Sequence, residues 1–131
     1  VVEVQQERKD YLRAKHISCL LETLSEGTVI VEGAHDVRAL GRLGISALTY
    51  SQLYKSLPQA GRTVYIMTDR DRGGEEKKAK IMAMLLESDR GYAIDDSAGK
   101  RLLRMTNSTS VEQVCGPIEE LMGKTGGKTK M

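Results

Sequence analysis

Two acidic signatures stand where packing alone explains them poorly. In VIVEG an apolar, β-branched run closes on Glu32-Gly33, and in YIMTDRD a second apolar run closes on Asp69, with Asp71 two residues on. A carboxylate withdrawn from water without a partner is costly, and several close together repel. A hard divalent cation removes both problems. Magnesium takes carboxylate, water and phosphate oxygens and often uses only one or two protein carboxylates. The expected chemistry is a magnesium ion, with manganese as its substitute, held by Asp69, Asp71 and Glu32 against a phosphate. For Asp-x-Asp alone an ordinary reading competes, because aspartate is common in turns and at helix caps. Glu32 shifts the balance: a Glu before Gly at the end of an apolar strand has no capping role as compelling.

Glycines and basic residues fill in the surroundings. Gly33 would let the backbone turn tightly beside a ligand, and Gly74 leads into a helix whose first N–H groups favour a phosphate. Arg70 and Arg72 alternate with the aspartates and either pair within the loop or reach phosphate. Lys100, Arg101 and Arg104 form a second cluster, and Lys124, Lys128 and Lys130 a third. Each cluster alone reads as solvated surface; together they suggest a phosphate-facing patch with salt-dependent binding. His35 either lines the site or simply starts a helix.

These residues need elements to position them. The spacing of Ile17, Leu20, Leu21 and Leu24, with Leu12 earlier, predicts a helix over 5–26, ended by Gly27 as a left-handed cap. TVIVEG (28–33) reads as a strand buried on both faces, and 35–43 as a helix stopped by Gly44. ISALTY (45–50) is a weaker strand, 51–57 a short helical or turn segment, and 63–68 the second strong strand. A helix follows over 75–89, with Glu75 and Glu76 in its first turn and the apolar run Ile81 to Leu86, Met82 and Met84 included, on its buried side. Beyond Gly91 the pattern weakens to a fourth strand at 92–96, a short helix at 99–105, and a helix or turn over 111–122 interrupted by Gly116-Pro117. Alternating strands and helices imply an α/β fold of about four mostly parallel strands flanked by helices. Ligands of such sheets bind beyond the carboxyl ends of the strands, where Glu32 and Asp69 stand. Residues 1–27 are expected as a helix packed on the domain, 28–122 as the domain, and 123–131 as a flexible basic tail.

Composition narrows the function classes. The 131 residues suit one domain, and no apolar run reaches the length of a membrane span. The opening VVEVQQERKD lacks the basic-then-apolar order of a signal peptide. With two unrelated cysteines, neither zinc nor a disulfide framework is expected, and a reducing cytoplasm is the expected home. The net charge of +2 is too small to argue for nucleic acid by itself. The absence of Trp and Phe, with only five Tyr, counts against base-stacking platforms. GKTGGKT misses the Walker pattern, because Ile118 and Met122 stand where its first Gly belongs. Asp95-Asp96 reads as a turn.

Together the two motifs resemble the Toprim domain, the catalytic module of topoisomerases, bacterial-type primases, old-family nucleases, recombination mediators and a ribosomal-RNA maturation nuclease. Its first motif is an apolar strand ending in Glu-Gly, here VIVEG. Its second is a strand ending in Asp-x-Asp, here YIMTDRD, followed by Gly74. HDVRALGRLGI after the first motif also looks familial, and KRLLRMTNSTSVEQV is similar to the C-terminal part of small stand-alone archaeal Toprim proteins. The resemblance implies a Toprim, Rossmann-like fold. It implies Glu32 as general acid or base, or as a metal ligand, with Asp69 and Asp71 holding magnesium. Topoisomerases carry a further acid where Gly73 stands, so the pattern is closer to primases and nucleases. Nuclease-like members often place Lys directly after Glu-Gly, where this chain has Ala34 and then His35.

Two functions follow from the resemblance. One is magnesium-dependent processing of RNA or DNA by phosphodiester cleavage or nucleotidyl transfer. The other is a non-catalytic nucleic-acid- or nucleotide-binding module of a larger complex, or a homodimer. A metal-dependent phosphatase or transferase on an unrelated α/β fold would also use Asp-x-Asp, but would not require Glu32.

Overall fold

The chain, seen in a computed structural model that describes residues 2–125, is built on a four-stranded sheet. The strands are β1 (Thr28–Val31), β2 (Ala47–Thr49), β3 (Thr63–Ile66) and β4 (Ala93–Asp95). They lie in the order β2-β1-β3-β4, and every pairing is parallel. Among the described residues six α-helices surround them: α1 (Val2–Ser25), α2 (Ala34–Arg42), α3 (Tyr50–Leu53), α4 (Arg72–Glu87), α5 (Ser97–Met105) and α6 (Cys115–Lys124). A 3-10 turn, Val111–Val114, leads into α6.

Strand alternation divides the core in two. Val29, Val31 and Met67 face a large cluster completed by Leu40 of α2 and by buried residues of α1, α5 and α6. Ile30, Val64 and Ile66 face the other way, onto Leu53 of α3 and Ile81 and Leu85 of α4. Burying such aliphatic side chains gives about 1.5–3 kcal/mol each, so both faces of the central strands must be apolar. Hence TVIV and TVYI are continuous apolar runs rather than alternating ones. The faces obey crossover handedness: α2 links β1 to β2 in one direction, whereas α3 and α4 link strands in the opposite direction and lie on the other face.

The sequence reading needs correction at several boundaries. Gly27 is not a left-handed cap, since the positive-φ glycines among the described residues are Gly44, Gly61 and Gly91. A Cβ at Gly27 would meet the Tyr65 ring at 2.6 Å and the Thr63 carbonyl oxygen at 2.7 Å, so close packing sets that position. Leu12 is half exposed, and the buried stripe of α1 begins at Ala14. Leu86 is 67 % exposed, so the buried side of α4 stops short of it, while Met82 and Met84 pack at the edge of the smaller cluster. Gly116-Pro117 does not interrupt the last helix but lies in the first turn of α6, where a missing N–H is tolerated. Helix α6 runs on to Lys124; of the expected tail, 126–131, including Lys128 and Lys130, lie outside the described residues.

Candidate functional site

The chain leaves β1 to one side, toward β2, and later returns to place β3 on its other side, so the sheet has its switch point between β1 and β3. Crevices at such points, beyond the carboxyl ends of the strands, are where open parallel sheets bind ligands. Glu32 follows β1 directly, and Asp69 lies three residues beyond the end of β3. The two meet there: the Asp69 backbone N–H donates to Glu32 Oε2 at 3.0 Å.

Each carboxylate of the expected trio is held through one oxygen by a backbone N–H. Asp69 Oδ1 accepts from the Val111 N–H at 2.9 Å, which ties the β3 end to the segment before α6. Asp71 is the N-cap of α4, its Oδ1 accepting from the Gly74 N–H at 2.7 Å. The second oxygens of all three have no hydrogen-bond partner among the described residues. Hard oxygen donors of this kind suit magnesium. Among the described residues, however, no group of three or more His, Cys, Asp or Glu converges on one point. The donor set thus fits a cation bound through one or two carboxylates with water or phosphate completing its shell, and not one held by the whole trio.

A fourth acid, Asp36, entered the sequence reading only as part of the familial helix HDVRALGRLGI, with no site role. It is buried in the first turn of α2 and accepts from the Gly33 N–H at 3.3 Å. Burial pushes its pKa up, the Gly33 hydrogen bond works against this, and the negative charges of Asp69, Glu32 and Glu112 push it up further. Asp36 therefore registers a negative field at this edge of the sheet.

The glycines act differently from expectation. Gly33 has an extended backbone (φ −150°) and open space where a Cβ would be, so no tight turn requires it. Gly74 is required by contact: a Cβ there would fall against the Asp69 backbone, 2.7 Å from its carbonyl carbon. Its N–H, expected for phosphate, is taken by Asp71.

The basic candidates separate into three places. A cavity of about 370 Å³ opens beside Asp69 and Asp71, between α4 and α5, and Lys100 and Arg104 line it from α5. Arg101 faces the other side of α5, in a cleft with His16 and Cys19 of α1. Arg70 lines the cavity, but its Nη1 donates to the Ser108 carbonyl at 3.3 Å and its backbone N–H donates to the Thr109 carbonyl at 2.6 Å, so it holds the loop before the 3-10 turn. Arg72 points to solvent near Glu76, with a separation of 3.6 Å. His35 is exposed and pairs with Arg38 at 2.8 Å, 4.0 Å from Glu112, and does not line the cavity.

Lys78, on the cavity wall, was missed. Its Nζ lies 2.6 Å from Glu75 and 3.1 Å from Asp96, and Lys100 Nζ approaches the same Asp96 oxygen at 3.4 Å. Burial of Lys78 favours its neutral form, but its hydrogen bonds with Glu75 and Asp96 outweigh this and raise its pKa. Asp96 is lowered in turn, chiefly by Lys78. A phase signal for Lys78 exists in the sequence: it stands four residues after Gly74 and three before Ile81, both on the buried stripe of α4. Asp95 proves to be a cap, its Oδ1 accepting from the Ser97 and Ala98 N–H groups at 2.8 and 3.0 Å.

The fold and the switch-point crevice define an α/β protein of Rossmann-like architecture with an acidic edge. No protein-family profile matches the chain. It is 32 % identical over 109 residues to a UPF0292 protein of Pyrococcus horikoshii, covering 76 % of this chain and 80 % of that protein. It is 29 % identical over 126 residues to a UPF0292 protein of Methanosarcina barkeri, covering 87 % and 88 %. The chain belongs to the UPF0292 family. A solved structure of an Aquifex aeolicus protein superposes with a TM-score of 0.59 at 24 % identity, over 73 % of this chain and 95 % of that one, and it shares the fold. Among the described residues no helix is long and apolar enough to cross a membrane.

Proposed function

We propose that the protein is a magnesium-dependent nucleic-acid-processing protein of the Toprim class, acting on phosphodiesters of RNA or DNA by cleavage or nucleotidyl transfer. The observation that carries this reading is the Glu32–Asp69 contact at the switch point: Glu32 Oε2 on the Asp69 N–H at 3.0 Å brings the Glu-Gly and Asp-x-Asp motifs to one edge of the sheet. A simple loop or cap role accounts for Asp71 but not for this meeting of the two strand ends. The finer assignment of the fold as Toprim rests on those two motifs in their order. One or two of Asp69, Asp71 and Glu32, with water or phosphate oxygens, would hold magnesium, which when bound neutralises charge developing on a phosphate. Glu32, fixed through one oxygen and free at the other, would move a proton or join the metal's shell.

One observation favours a second reading, a non-catalytic nucleotide- or nucleic-acid-binding module. The carboxylates do not converge as a trio among the described residues, and Asp71 is committed to capping α4.

The deciding experiment incubates the protein with labelled RNA and DNA in magnesium or manganese, beside Glu32→Gln and Asp69→Asn, and measures Mn²⁺ binding to all three by electron paramagnetic resonance. If Glu32 is the acid or base, its variant loses about 10²–10⁴-fold in turnover while keeping metal, and Asp69→Asn loses metal. Binding without turnover in the unsubstituted protein supports the module. Turnover untouched by Glu32→Gln overturns the proposal.

A further inference from the structure

The cavity beside Asp69 and Asp71 carries an inference of its own. Its lining carries both signs of charge. Asp69 and Asp71 line it beside Arg70, whose guanidinium is engaged by the Ser108 carbonyl, and Lys78, Lys100 and Arg104 line it from α4 and α5 together with Glu75 and Asp96. These three bases are only partly neutralised. Glu75 and one oxygen of Asp96 engage Lys78, which is 13 % exposed and bridges α4 to the β4–α5 corner as part of the wall. Lys100 shares that same Asp96 oxygen at the longer distance of 3.4 Å, and its side chain is 44 % exposed. Arg104 lines the cavity, and its side chain makes no hydrogen bond or ion pair among the described residues. Lys100 and Arg104 are four residues apart on α5, so they project from one stripe of that helix.

A cavity lined by two available cations of α5, beside carboxylates that would hold a metal, suits a phosphate. Its volume of about 370 Å³ is that of a small-molecule site, too small for a length of duplex. A terminal phosphate monoester carries nearly two negative charges at neutral pH, against one for an internal diester, and a guanidinium can bind it in a bidentate fork.

We propose that this cavity is a subsite for a terminal phosphate monoester, recognised by Lys100 and Arg104, so that the site engages the phosphorylated end of a strand, or a free nucleotide, rather than the middle of a chain. The substrate class rests on the phosphodiester reading above; binding of the phosphate does not require the metal.

The test is fluorescence-anisotropy binding of short single-stranded RNA bearing a 5′-phosphate, a 3′-phosphate or hydroxyls at both ends, with adenosine monophosphate as competitor, first in chelator and then in magnesium. One phosphorylated end is expected to bind about tenfold or more tightly than the hydroxyl-ended strand, in line with charge-assisted pairing to two cations. Lys100→Gln/Arg104→Gln is expected to abolish that difference, and Lys100→Arg to retain it. Competition by the mononucleotide assigns the subsite to any nucleotide phosphate; failure to compete assigns it to strand ends. Equal affinity for phosphorylated and hydroxyl ends overturns the proposal, as does a preference that survives the double substitution. A preference present in chelator, with no effect of magnesium and no turnover, leaves the subsite standing and removes the metal reading instead.

Discussion

Asp36 lies buried at the start of α2, facing Glu32, Asp69 and Glu112, with one backbone N–H on its carboxylate. Its raised pKa has a definite consequence for stability. At low pH the folded chain holds a neutral Asp36 and keeps the full benefit; as pH rises through the raised folded-state value, that benefit is lost. Asp36→Asn is always neutral and still offers an oxygen to the Gly33 N–H. Its melting temperature should exceed that of the unsubstituted protein around neutral pH, and the gap should close as pH falls into the ordinary aspartate range. Melts at stepped pH check this, and a gap independent of pH would remove burial and like charge as its cause. At this scale the strand ends were legible, because β-branched runs stopping at acids leave few places for Glu32 and Asp69. The individual hydrogen bonds were not. That Asp71 spends an oxygen on the Gly74 N–H, and that Asp69 is held from Val111, forty-two residues on, depends on contacts no local pattern encodes.

Helix α4 is seated against the β3 end through Gly74, which has no room for a side chain beside the Asp69 backbone. Gly74→Ala should therefore destabilise the fold despite alanine's better helix propensity, by about 1–3 kcal/mol as for other overpacked positions, measured by urea denaturation. An unchanged or raised midpoint would show that α4 shifts freely. Helix α5 is seated likewise: a Cβ at Gly99 would lie 2.9 Å from Met67 Cγ. Helical phase also explains the split basic cluster. Leu102 and Leu103 are buried, Lys100 and Arg104 share the stripe toward α4, and Arg101, one residue round from Lys100, turns toward α1 with Met105. That separation was available from the sequence by counting residues around the helix. The continuity of α6 was obscured because Gly-Pro reads as a breaker unless the helix start is known.

The two core clusters are unequal in what they recruit. The smaller one draws on residues between Ile30 and Ile94, whereas the larger unites α1 with α5, α6 and the 3-10 turn. Ile118 of α6 is 2 % exposed in that larger cluster, packed with the turn whose Val111 N–H holds Asp69. Ile118→Ala should cost about 2–5 kcal/mol by leaving a cavity, and should speed hydrogen exchange at the Val111 amide more than at the amides of β3. Uniform acceleration would mean that the turn opens only with the whole domain. The α/β order was legible at this scale because apolar runs and helical periods alternate cleanly up to residue 90. Strand order was not, since the placing of β1 between β2 and β3 follows from which face each helix covers.

The hold of Val111 on Asp69 also bears on how the protein is made. On the ribosome, β1, β3 and α4 emerge and can pair while residues after 110 are still to be added. At that stage Glu32 and Asp69 can already meet, but the Asp69 side chain has no anchor and α1 lacks the α6 surface that covers it. A nascent chain at that stage carries its acids on a loose loop, and their final aim is set by a segment translated well after them.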